Sequence, residues 1–245
     1  MEEGRTALKK IKKLHDEVLG LLMERDRMTY FESKSLQIRY NEALEGLPLK
    51  LQRLQIDAMK LRFVFAAVES GSTREEAERL AEEELYQDEL FYEMQLNLKD
   101  PRASLSEDET EELEEIYEEI LEILNPDLNP YQTLDTASLF ITAASAYEYC
   151  QKDALAEVLK EARTFKTPNL DEMTSAELSE RQKTLKTARG QIRTMIEDME
   201  DEFPFDKADM LEDEDELEKE KAHLKESIEA MGALVEQFKE KLSKA

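Results

Sequence analysis

The sequence predicts an all-α protein in which two long antiparallel helical hairpins, coiled-coil-like, flank a compact helical segment. Three observations predict it. Six Gly and six Pro among 245 residues leave few of the turns that a strand architecture needs. Charged residues make up 38% and hydrophobic ones 40%, with no Trp, the Leu-Glu-Lys-Ala-Arg profile of long helices. Finally, apolar residues recur at three- and four-residue steps along most of the chain, which is the helical period. That periodic apolar content also argues against a disordered acidic chain.

Residues 1–100 read as an N-terminal helical hairpin or bundle. A first helix is expected over 6–25, with Leu8, Ile11, Leu14, Val18, Leu21 and Leu22 on one stripe. Lys9, Lys10, Lys12 and Lys13 flank the stripe and read as a solvated face pairing with acidic neighbours. A second helix is expected over 30–44, ending at Gly46, because Gly accepts the left-handed conformation past a helix end. Pro48 then fits the first turn of a helix over 49–69. Its end, LRFVFAAV, is apolar nearly all round and is expected to lie deepest in the core. Ser72 and Glu75 have capping-box spacing and open one helix to Leu98, folded back on the last.

After a linker at 101–105, residues 106–165 form the distinctive segment. Ser106 and Glu109 cap a helix whose inner face is Leu113, Ile116, Tyr117, Ile120, Leu121 and Leu124. Its outer face holds ten Asp or Glu between Glu107 and Glu122 with no Lys or Arg, a repulsive excess beyond the first turn. The turn Asn125-Pro126-Asp127-Leu128-Asn129-Pro130 follows, then an apolar helix or helix pair carrying Leu139, Phe140, Ala143, Ala144, Tyr147 and Leu155. Residues 171–245 read as a C-terminal coiled-coil-like hairpin. Thr174 and Glu177 cap its first arm, its tip is near Pro204, and its second arm has a seam through Leu217, Leu224, Ile228, Met231, Leu234, Phe238 and Leu242.

Little chemistry is on offer. The formal net charge of −26 opposes phosphate backbones and anionic headgroups, so neither nucleic acid nor membrane is an expected partner. Cys150 is the single cysteine and reads as a buried, inert thiol. His15 and His223 lack companions at ligand or triad spacing. The acidic run from Glu197 to Glu218 lacks the spacing of a calcium loop. No metal, cofactor or catalytic residue is expected, and a leaderless cytoplasmic protein is the default reading of the N-terminal residues.

The central segment resembles a J domain, the co-chaperone module with His-Pro-Asp between two helices. Tyr117-x-x-Ile120-Leu121-x-x-Leu124 is similar to the helix before that loop, Asn125-Pro126-Asp127 stands at the loop, and Leu139-Phe140, Ala143 and Ala146-Tyr147 are similar to the helix after it. The resemblance spans about residues 20–163 and extends to a group of bacterial proteins with a helical hairpin before a J-like segment. It implies a partner-binding loop at Asn125, Pro126 and Asp127, supported by Tyr117 and Tyr147. Two departures accompany it. An active loop uses its His to trigger ATP hydrolysis by a heat-shock chaperone, and position 125 is Asn, which cannot carry an imidazolium charge. The helix before the loop is expected to be basic, and here it is acidic. The implied function is a non-catalytic adaptor or scaffold binding a protein partner, a heat-shock chaperone or a second copy. A structural self-associating protein is the alternative; an enzyme or cation binder using the acidic runs is a weaker one.

Overall fold

The computed structural model describes residues 2–244, with side chains from residue 7 onward. Ten α-helices and no strand occur among the described residues, so the all-α class holds. They are α1 (Glu2–Arg27), α2 (Ser33–Ala43), α3 (Leu47–Glu69), α4 (Arg74–Glu84), α5 (Tyr86–Leu96), α6 (Glu107–Leu124), α7 (Leu134–Glu148), α8 (Lys152–Ala162), α9 (Ser175–Glu200) and α10 (Glu214–Lys244). Where the sequence suggests a gap between the first two helices, a π-helical turn at Met28–Glu32 joins them. Neither Gly nor Pro lies there to break the helix. The hydroxyls of Thr29 and Ser33 donate to the carbonyls of Arg25 and Thr29 at 2.8 and 2.9 Å, a back-bonding that accompanies loosened helical geometry.

The chain forms two compact units, each assembled from separated stretches: residues 1–33 with 100–205, and residues 34–99 with 206–245. The sequence segments 1–100 and 171–245 are therefore each divided between them. In the first unit α9 packs along α1, while α6, α7 and α8 pack on one another. In the second unit α10 packs along α3, with α4 and α5 also against α3. The expected C-terminal hairpin is thus corrected: each of its arms takes an N-terminal helix as its neighbour. Amphipathic periodicity shows which face is buried but not against which helix, which is why sequence order suggested the nearer partner.

The first unit holds the larger core. Ile11, Leu14, Val18 and Leu22 of α1 meet Leu113, Tyr117, Ile120, Leu121 and Leu124 of α6, together with Leu185, Ala188, Ile192 and Ile196 of α9. The apolar end of α3, expected to lie deepest, buries only Val64 fully; Leu61, Phe63, Phe65 and Val68 stay partly exposed around it. Two further expectations are adjusted. The α4 cap is Thr73, whose hydroxyl accepts from the Glu76 amide at 3.3 Å, one residue after the expected Ser72. The helix expected to run to Leu98 bends at Leu85, where no breaker stands; packing fixes the bend, with Leu85 buried and Arg53 of α3 bonded to Glu89 of α5 at 2.6 Å. Gly46 at φ +71° sits between α2 and α3 in the left-handed conformation its position called for.

Two faces remain apolar and open. On α7, Leu134 is 90% exposed, Ile141 71%, and Tyr149 just past the helix is exposed too. On α5, Tyr86, Leu90, Phe91 and Met94 are exposed in the spacing of a single helical stripe.

Candidate functional site: the turn after the sixth helix

The turn is built from its first residue. Asn125 caps α6 in an extended conformation, and its side-chain Oδ1 accepts from the Asp127 amide at 2.9 Å. The Asn125 carbonyl accepts from the amides of Leu128 and Asn129 at 3.1 and 2.8 Å. This is the Asx-turn chemistry expected of Asn in a proline-bounded loop. Asn125 is only 4% exposed, so its amide faces the fold; Pro126 is exposed and Asp127 half-buried.

Asn129, fully buried, ties the turn down. Its Nδ2 donates to the carbonyls of Ile123 at 2.7 Å and Lys166 at 2.9 Å, and its Oδ1 accepts from the Tyr131 amide at 3.0 Å. Arg181 of α9 closes the other side, donating to the Asp127 carbonyl at 3.0 Å and to the Leu128 carbonyl. Burial pulls this guanidinium below its usual pKa, and the charge of Asp127 opposes the shift. Leu128 beneath them is wholly buried.

Tyr117 and Tyr147 stack in the core of the first unit, centroids 3.8 Å apart and planes within 6°. Phe31 meets Tyr147 edge-on at 5.0 Å, and the Arg102 guanidinium covers Phe31 at 4.2 Å. The two hydroxyls differ. That of Tyr117 donates to Asp26 Oδ2 at 2.8 Å, while Asp26 Oδ1 accepts from Arg25 at 2.5 and 2.8 Å. That of Tyr147 is buried with no partner. Both are held well above the usual phenol pKa, chiefly by burial; Asp26 adds to the effect on Tyr117 and Glu114 to that on Tyr147.

The acidic outer face of α6 is partly answered by cations from other elements, which the sequence reading did not foresee. Glu119 takes both Nε and Nη2 of Arg163 at 2.7 Å, Glu112 pairs with Lys152, and Glu114 lies 3.4 Å from Arg102. The Arg163 hydrogen bond holds the Glu119 carboxyl below its usual range.

Of the five residues singled out in the sequence, Asn125, Pro126 and Asp127 form the turn, while Tyr117 and Tyr147 stack on each other in the core of the first unit, Tyr117 lying about 12 Å from Asn125 along α6 at about 1.5 Å per residue. Asp26 and Arg181 were missed, although each had a signal: Asp26 continues the stripe of Val18 and Leu22 at four-residue steps, and Arg181 begins that of Leu185 and Ala188. Cys150, expected buried within a helix, lies half-buried just past α7 at φ +53°. His15 is partly buried and lines a cavity beside the turn, and His223 is exposed. Among the described residues no group of three His, Cys, Asp or Glu is placed to hold a metal ion, and no helix is long and apolar enough to cross a membrane. Compared with family models, curated proteins and solved structures, the chain matches none.

Proposed function

We propose that this chain is a non-catalytic, J-like adaptor or scaffold that binds a protein partner and leaves a heat-shock chaperone's ATPase unstimulated. The observation that carries it is the outward face of α7. Leu134, Ile141 and Tyr149 stand exposed there among Ala137, Ser138, Thr142 and Ser145, with Asp135 and Glu148 the two charged side chains of the helix, in a chain that is 38% charged. An apolar strip with so few charges on such a surface is a candidate for burial against another protein. The turn supports the second half of the reading. Asn125 uses its amide inside the fold and offers no imidazole, and the helix before it presents carboxylates.

Steady-state ATPase measurements on a bacterial heat-shock chaperone, with and without this protein, test the claim directly. Equal rates are expected, and stimulation by the natural sequence refutes it. A photo-crosslinker at position 141 should give a discrete adduct with a different protein in cells, whereas one at Lys183 of α9 should not. An adduct of two copies of this chain would instead favour the alternative, a structural self-associating protein. The exposed α5 stripe favours that alternative, and a sedimentation coefficient rising with concentration would support it.

A further inference from the structure

Beside the turn, a cavity of about 440 Å³ opens between α1, α6, the segment after α8, and the start of α9. We propose that it binds a small organic monoanion: an apolar body of one or two rings, or a short chain, bearing one carboxylate or sulfonate. The inference stands apart from the adaptor reading.

Size is the first argument, since small-molecule sites run from roughly 300 to 1,000 Å³. The walls are the second. Ile11, Ile123, Leu128, Phe165 and Leu170 supply apolar surface from four parts of the unit. Charge is the third. Arg181 lines the cavity at 6% exposure, donating to the Asp127 and Leu128 carbonyls, and the charge that acts on it is that of the half-buried Asp127. No carboxylate of the described residues lies within ion-pair distance of it, and its Nε has no hydrogen-bond partner. A buried cation with no ion-pair contact is costly, and an incoming anion lowers that cost. Lys12 and Arg163 add positive charge at the wall.

The carboxylates there set the limit on the ligand. Glu119 is taken up by Arg163, and Asp16 lies 3.7 Å from His15 Nδ1. Glu122 also lines the cavity. The three carboxylates match Lys12, Arg163 and Arg181 in number, so the lining has no positive excess: a single negative charge placed at Arg181 is the most it takes, and a polyphosphate is repelled. That balance is itself unusual in a chain with 59 acidic and 33 basic residues.

The test titrates the full chain with two fluorescent probes of similar aromatic body, anionic 8-anilinonaphthalene-1-sulfonate and neutral N-phenyl-1-naphthylamine. Saturable one-to-one binding of the anion is expected, about tenfold or more tighter than the neutral probe, as a charge-assisted contact gives, and octanoate should displace it. Arg181→Gln should bring the anion's affinity down to that of the neutral probe. Because Arg181 also holds the turn, two exposed positions provide independent variants. Thr167→Trp, which fills the cavity, and Lys12→Glu should each weaken anion binding about tenfold with the circular dichroism and urea midpoint unchanged. Ile141→Ser and Phe91→Ser, on the open faces, should leave it intact. Equal affinity for the two probes, no saturable binding, or binding that survives both Thr167→Trp and Lys12→Glu would overturn the proposal.

Discussion

The stacked tyrosines make a sharp test, because removing the hydroxyl should cost stability at one and not at the other. Tyr117→Phe keeps the ring, its 3.8 Å stack and its burial, and deletes only the hydrogen bond to Asp26. Asp26 is 2% exposed, so its Oδ2 would be left without that donor and beyond the reach of water. A hydrogen bond to a charged group contributes about 1.5–3 kcal/mol, and orphaning the buried acceptor moves the expectation to the upper half of that range. At roughly 3–4 °C per kcal/mol for a unit of this size, the first unit's melting temperature should fall by about 7–12 °C. Tyr147→Phe removes a buried hydroxyl that has no partner to lose. It should therefore fall within about 0.5 kcal/mol of the parent or be more stable by about 1 kcal/mol. Urea titrations followed by near-ultraviolet circular dichroism of tyrosine, with no Trp to obscure it, read both variants. A neutral Tyr117→Phe, or a Tyr147→Phe as harmful as its neighbour, would refute the assignment of the hydroxyls.

Within the turn, Asn129→Ala should be more damaging than Asn125→Ala. It strands the buried Ile123 carbonyl, the partly buried Lys166 carbonyl and one amide, for about 2–3 kcal/mol, against about 1 kcal/mol for the single Asx-turn bond, both readable from urea midpoints. Ser106→Ala removes a full capping box from α6 and should lower stability by about 1 kcal/mol, with amide exchange quickening first in residues 107–110. At high pH the second unit should weaken through Tyr40, whose hydroxyl is pushed up to about 12 by burial and by its bond and proximity to Glu220. A folded pKa above the unfolded value near 10 means this contribution is whole below pH 10 and is lost as pH rises towards 12. Tyr40→Phe should flatten the stability profile over that interval, and an unchanged slope would remove Tyr40 as its source.

How far the sequence revealed this arrangement depended on the kind of signal. The inner face of α6 was legible because Leu113, Tyr117, Ile120, Leu121 and Leu124 fall on one 3.6-residue stripe, and all five are buried. The capping boxes at Ser106 and Thr174 were legible because a cap is a local bond between residues three apart. Pairing of helices was not, since the α1 stripe that meets α9 is as apolar as one that would meet a nearer neighbour. The bend at Leu85 left no mark, being made by contacts with α3 rather than by a breaker. Polar residues on apolar stripes, Asp26 and Arg181, were readable in principle. Each is a charge that the helical period sends inward, and each proves to anchor something: the Tyr117 hydroxyl in one case, two turn carbonyls in the other.

Those anchors bear on where a partner would bind. A loop that recognises another protein needs donors or acceptors left over, and this one directs the amides of Asn125 and Asn129 into its own backbone while Arg181 occupies the carbonyls of Asp127 and Leu128. Of Asn125, Pro126 and Asp127, only Pro126 is exposed, and it has no amide to donate. The same bonds fix where α7 begins, through Tyr131 and Gln132 on Asn129 and then the Thr133–Thr136 cap. Rigidity of the turn thus becomes orientation of the α7 face. On the adaptor reading, Asn125 acts on a partner through the helix it positions, so Asn125→Ala should weaken binding only as far as it loosens the turn. Ile141→Asp should weaken it outright while leaving the turn and the urea midpoint unchanged.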